Sequence, residues 1–81
     1  MTIHVRLFAA VKQNAGRETV EVVLSPGATI ADLRRALAEQ LPELTSLFER
    51  SLFAIGTEYA AENTVITANS DVACIPPVSG G

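Results

Sequence analysis

The sequence predicts a two-layer α+β domain, a sheet of about four strands with one helix packed across one face. Three observations carry this. Two segments, Ile3–Leu7 and Val20–Leu24, alternate apolar and polar residues with the period of a half-buried strand. One segment, Thr29–Leu41, repeats its apolar residues with helical period. Two further apolar runs, SLFAIG and VACI, are too short for helices and are flanked by turn-forming residues.

Taken in order, Ile3, Val5 and Leu7 of the first strand face the core, and His4, Arg6 and Phe8 face the other way. Phe8 is the unusual member, an aromatic on the wet side. AAVKQNAG follows, long enough for one or two helical turns closed by Gly16. The second strand, ETVEVVL, turns Val20, Val22 and Leu24 inward and stops at Ser25-Pro26-Gly27. Thr29 caps the main helix, and Asp32 completes a capping-box-like start. Ile30, Leu33, Leu37 and Leu41 form the apolar stripe, flanked by Ala36 and Ala38, while Arg34, Arg35, Glu39 and Gln40 are expected to face solvent. Pro42 ends the regular helix, and ELTSLFER reads as a loose turn or short helix. SLFAIG is a short third strand, and TEYAAENTVITANSD a polar stretch with a short strand or turn near Thr64–Thr67. VACI is the last strand, pairing Val72 with Cys74 on one face and Ala73 with Ile75 on the other. If the first two strands are antiparallel, the last can slot beside the first.

The bulk properties narrow the function. With 81 residues, 48% of them hydrophobic and 19% charged, the chain has the composition of one folded domain. Its net charge is −3, and the basic residues are scattered, with one adjacent pair, Arg34-Arg35. Such a surface has no basic stripe to release counterions from a phosphate backbone, so no nucleic-acid partner is expected. A basic protein surface suits it better. A single cysteine, Cys74, cannot form an internal disulfide, which favours a cytoplasmic home. The N-terminal residues alternate rather than run apolar, so neither a signal peptide nor a membrane association is expected.

Groups that could carry chemistry are few. His4 stands alone, without a second ligand at metal spacing, so no metal site is expected. Cys74 lies in an apolar strand with no base beside it and reads as a small buried hydrophobe. Glu58 and Glu62 are a carboxylate pair in a polar segment, with nothing to raise a pKa. No Gly-rich phosphate loop occurs. What remains is the ending, IPPVSGG.

Pro76-Pro77 stiffens the exit from the last strand, because each ring fixes φ and biases the residue before it away from helix. The six residues from Pro76 reach roughly 20 Å when extended. Gly80 and Gly81 have no Cβ, so the terminal carboxylate stands on a slender stalk that can thread a narrow channel. The division expected is a domain over residues 1–75 and a flexible Gly-Gly tail over 76–81. Beside the root of that tail, Phe8 and Ile75 share the wet face of the sheet and form a candidate docking patch.

RLFAAVKQNAG, TIADLRRAL and DVACIPPVSGG together resemble the small subunits of molybdopterin synthases, over the whole chain and in order. The most specific part is Pro76-Pro77-Val78-Ser79-Gly80-Gly81, which follows that family's P-P-V-[ST]-G-G ending. The chain departs from the family at Gly56, Asn69-Ser70 and Ile75, where members often carry Asn or Asp, a Gly-Asp pair and an aromatic. The resemblance implies a ubiquitin-like β-grasp fold with a mixed sheet of four to five strands. It implies a sulfur carrier that is not an enzyme on its own. Gly81 would be adenylated by an ATP-dependent activating enzyme, then converted to a thiocarboxylate that gives sulfur to cyclic pyranopterin monophosphate. Gly80 and Gly81 would be the reacting end. Phe8, Ile75, Pro76, Pro77, Val78 and Ser79 would contact the large subunit, in a heterotetramer of two small and two large chains. No cofactor would be held permanently, ATP being used by the activating enzyme. Alternatives are a carrier for thiamine or tungsten-cofactor synthesis, a protein modifier attached to lysines, or an interaction module with an incidental Gly-Gly end.

Overall fold

The computed structural model describes residues 1–77; Val78, Ser79, Gly80 and Gly81 of the predicted tail lie outside the described residues. The elements are β1 (Thr2–Leu7), α1 (Ala9–Ala15), β2 (Thr19–Val23), α2 (Ile30–Gln40), a 3-10 turn at Pro42–Leu44, α3 (Thr45–Arg50), β3 (Leu52–Ile55), β4 (Glu58–Tyr59) and β5 (Val72–Ile75). The five strands form one sheet in the order β2-β1-β5-β3-β4. β1 and β2 are antiparallel, and β5 lies parallel to β1 on its other side. β3 pairs antiparallel with both β5 and β4. This is the mixed sheet of a β-grasp. β4 falls where composition predicts loop; two residues are too few for a period to show, and pairing with β3 alone makes them a strand.

The helices cover one face. Ile3, Val5 and Leu7 alternate as predicted, and Val20 and Val22 of β2 meet them on the same side. Ile30, Leu33 and Leu37 of α2 are fully buried against this layer, with Phe48, Phe53, Val72 and Cys74 completing the core. The domain thus has three helices where the sequence marks one strong one. α1 is closed by Gly16, whose φ of 72° is left-handed and whose N–H donates to Lys12 O at 3.0 Å. The Ser25-Pro26-Gly27 turn closes through Ala28 N–H donating to Ser25 O at 3.1 Å.

The start of α2 shows local and long-range satisfaction acting together. Asp32 N–H donates to Thr29 Oγ1, and Thr29 N–H donates to Asp32 Oδ2 at 2.9 Å, a complete capping box. The Thr29 N–H and, at 3.1 Å, the Thr29 hydroxyl both donate to Asp32 Oδ2 and hold the carboxyl below its ordinary range, helped by Arg35. The next two amides of the first turn reach across the fold. Ile30 N–H donates to Thr64 O and Ala31 N–H to Glu62 O, each at 3.0 Å. The return is Ile66 N–H to Ala28 O at 2.8 Å, which sets Ile66 into the core. Thr29→Ala is therefore expected to cost about 1 kcal/mol, read as a lower denaturation midpoint in urea.

Candidate functional site

The uncovered face of the sheet is built by register. Arg6 of β1 pairs with Ala73, Ala73 with Ala54, and Ala54 with Tyr59, so one row crosses four strands. One step along, Ile75 pairs with Leu52, and Phe8 comes level with Ile75 just past the Leu7–Cys74 pair. The two alanines are buried by their own small size and make a floor. Larger residues stand around it. Phe8, Leu52 and Tyr59 are 40%, 56% and 69% exposed. Arg6, Phe8, Ala54, Ala73, Tyr59 and Ile75 together enclose an open, mainly apolar concavity of about 380 Å³.

One charged clamp lies at the edge of this face. Arg6 Nε donates to Asp71 Oδ1 at 3.1 Å and Nη2 to Oδ2 at 3.0 Å, a two-toothed bond between β1 and the entry to β5. The same guanidinium lies 5.6 Å from the centre of the Phe8 ring. Phe8 stays on the wet side, and α1 does not cover it. Ile75 is half-buried at the same level, Pro76 is buried, and Pro77 is exposed. The structure thus brings together Phe8 and Ile75, and adds Arg6, Leu52, Tyr59 and Asp71. Arg6 is the one of these the sequence could have offered, since period two puts it on Phe8's face. Leu52 and Tyr59 depend on register with β5 and β3, which no local pattern reveals.

The other candidates have structural roles. His4 sits beside Glu21 at 3.7 Å, both exposed on neighbouring strands. Among the described residues, no group of three or more His, Cys, Asp or Glu is placed to hold a metal. Among the same residues, no helix is long and apolar enough to cross a membrane. Cys74 is fully buried, and burial pushes its thiol up, against weaker lowering by Ser51 and Arg34. A thiol-specific disulfide reagent is expected to react with it only as the chain unfolds, the rate following denaturant concentration.

Arg34 corrects the sequence reading. Its side chain is only 19% exposed rather than solvent-facing. Nη1 donates to Phe48 O and to Ser51 O, and Nε and Nη2 grip the two carboxylate oxygens of Glu62. The guanidinium also lies 4.9 Å from the Phe53 ring centre. It adds charged donors to carbonyls at the end of α3, where Phe48 O also accepts from the Ser51 N–H at 3.2 Å. Glu62 is accordingly no free acid: the Arg34 hydrogen bonds hold its carboxyl below the ordinary range. Glu58 is an exposed residue of β4, so of the two carboxylates only Glu62 is drawn into the Arg34 network.

The family model described as ThiS family matches residues 5–81. The chain belongs to the ThiS family. This member is 37% identical over 78 residues to a molybdopterin synthase sulfur carrier subunit of Dictyostelium discoideum, covering 93% of this chain and 91% of that one. Its fold matches SAMP1, the small archaeal modifier protein of Haloferax volcanii, at 29% identity and a TM-score of 0.85 over 100% of both chains. It also matches a chain in the complex of subunits 1 and 2 of the molybdopterin-converting factor from Helicobacter pylori, at 22% identity and a TM-score of 0.68 over 100% of both chains. These ThiS-family structures share the β-grasp fold found here.

Proposed function

We propose that this ThiS-family protein is the sulfur carrier subunit of a molybdopterin synthase. The observation that carries the reading is continuity: β5 ends at Ile75 in the apolar face, and Pro76-Pro77-Val78-Ser79-Gly80-Gly81 follow it in the sequence. The curated relative named for this role supports it. The apolar face would dock a larger subunit; the Helicobacter pylori structure of the same fold is named as a complex of subunits 1 and 2. The tail would then enter that partner's active site.

The chemistry follows from the end group. A carboxylate is a poor electrophile. Attack by a Gly81 carboxylate oxygen on the α-phosphorus of ATP, in an activating enzyme, releases pyrophosphate and gives an acyl adenylate. Hydrosulfide, delivered by the sulfur donor, then adds at the carbonyl carbon, the C–O bond to AMP breaks with AMP as the leaving group, and a thiocarboxylate remains. In the large subunit that sulfur passes to cyclic pyranopterin monophosphate for the dithiolene. Docking residues would be Phe8, Ile75, Pro76, Pro77, Val78 and Ser79, with Gly80 giving passage and Gly81 reacting. The assembly would be two small and two large subunits in the cytoplasm. The chain itself holds no cofactor on this reading, and ATP serves the activating enzyme.

Incubation with ATP, activating enzyme and a sulfur donor should give the oxygen-to-sulfur mass gain in the intact chain; its absence sinks the reading. Phe8→Asp should lose the large subunit in copurification without a fall in melting temperature, because the substitution places a charge on the docking face and not in the core. A second reading, attachment to lysines, is favoured by the likeness to the archaeal modifier SAMP1. Isopeptide-linked forms of this chain in cell extracts would support it over the first.

A further inference from the structure

Two local rules are broken at consecutive positions beside the apolar face. The N-cap of α1 is Phe8, with extended backbone (φ −127°, ψ 155°) and no side-chain cap bond, where Ser, Thr, Asp or Asn would bond the helix amides. The next residue, Ala9, has a φ of 50°, the left-handed region that a Cβ makes costly and that glycine ordinarily fills. Sequences break local rules where function asks for it, and the breaks here surround one exposed ring. Independently, Arg6 lies beside that ring at 5.6 Å, and Asp71 fixes the guanidinium by both its oxygens.

We propose that Phe8 is preorganised for docking, with Arg6 as its positioning residue, Asp71 as the brace of Arg6, and the left-handed turn at Ala9 as the backbone stop. This rests on the docking face proposed above and adds how that face is kept ready. Ordering a side chain on association weakens binding, so a ring ordered beforehand binds more tightly for the same contacts. The planar fork of Arg6 matters because two bonds to Asp71 orient it, which a single point charge could not do. The turn at Ala9 sets where the chain leaves β1. With a Cβ at that position, fewer backbone conformations are open to the segment that carries Phe8.

The test compares Arg6→Met, Asp71→Asn, Ala9→Gly and Phe8→Asp by titration calorimetry against the purified large synthase subunit of the same organism. Arg6→Met and Asp71→Asn are each expected to bind about three- to tenfold more weakly. Ala9→Gly should move stability and affinity in opposite directions. Its melting temperature should rise by about 2–6 °C as the strain is relieved, while binding weakens about three- to tenfold. A residue of merely structural importance would move both together. In the free chain, NMR order parameters of the Phe8 side chain should fall in Arg6→Met and in Ala9→Gly. Binding within twofold of the parent for Arg6→Met, Asp71→Asn and Ala9→Gly, with Phe8→Asp unable to bind, would overturn the brace and leave the docking face standing. Parent-like binding by Phe8→Asp would overturn the face itself.

Discussion

A chain lacking Gly81 is expected to accumulate no thiocarboxylate and to support no molybdopterin formation, while melting like the parent. Removing one residue leaves a carboxylate, so the group to be activated survives in kind. It is withdrawn by roughly 3.5 Å, one residue of extended chain. Catalysis that depends on placing a reacting carbon against a nucleophile loses about a hundredfold for a misplacement of only about 1 Å. Appending one residue after Gly81 tests the same point from the other side, because the Gly81 carboxyl becomes an amide and the new carboxylate stands further out. Intact mass after incubation with ATP, activating enzyme and sulfur donor reads both variants. Full conversion of either one would show that the position of the Gly81 carboxylate is not what the chemistry uses. Folding is the internal control, since the core is made by residues between Ile3 and Cys74.

Arg34→Ala should have the largest effect on stability among surface-chemistry changes, about 2–3 kcal/mol, against under about 0.5 kcal/mol for its neighbour Arg35→Ala. In a domain of this size that corresponds to a fall on the order of 10–20 °C in melting temperature. The two arginines are adjacent in sequence and opposite in circumstance. Arg35 is 69% exposed and meets only Asp32, at 3.4 Å. Arg34 is mostly buried and serves Phe48 O, Ser51 O and Glu62 at once. Its loss removes a charged donor from Ser51 O and from Phe48 O, which keeps the Ser51 N–H at 3.2 Å, and leaves the Glu62 carboxylate without its partner. Arg34→Lys should recover little, because one ammonium cannot present the fork that spans α3 and the 57–64 segment. Equal melting temperatures for Arg34→Ala and Arg35→Ala would refute the assignment.

The same pair sets a pH dependence. Glu62 has its folded pKa lowered by the Arg34 hydrogen bonds, against a smaller rise from burial, with the Arg34 charge adding a still smaller lowering. The unfolded state therefore binds the proton more readily. The stability that Glu62 contributes is fully present above its ordinary value of 4.5 and is lost as pH falls through the lowered folded value. Because Glu62 is 57% exposed, solvent screens the pair and the contribution is modest. In Glu62→Gln the corresponding loss on acidification should be absent.

Much of this was legible in the sequence. β1 and β2 show their faces by period two, and α2 shows both its stripe and its cap, because each signal lies within a few residues of chain. The capping box of Thr29 and Asp32 spans three positions and formed as written. Gly16 and Gly27 mark the breaks where the backbone takes positive φ. Phe8 could be placed on the wet face by counting from Ile3. Arg34 could have been suspected, since it stands four residues after Ile30 and three before Leu37, at the border of the apolar stripe. Its charge argued for solvent, and nothing local said that α3 would bring carbonyls to it.

The sequence by itself determined β1, β2 and the capped helix, and its ending makes a sulfur carrier a natural reading. Each depends on residue type and short-range spacing alone. The tertiary structure decided what stands beside what: the Arg34 bonds to residues 14, 17 and 28 positions away, and the Arg6 clamp to Asp71 across 65. It also decided that Ala54 and Ala73 meet as a floor between Arg6 and Tyr59. Such pairs depend on sheet order and register, which the chain settles only when its whole apolar face is buried at once.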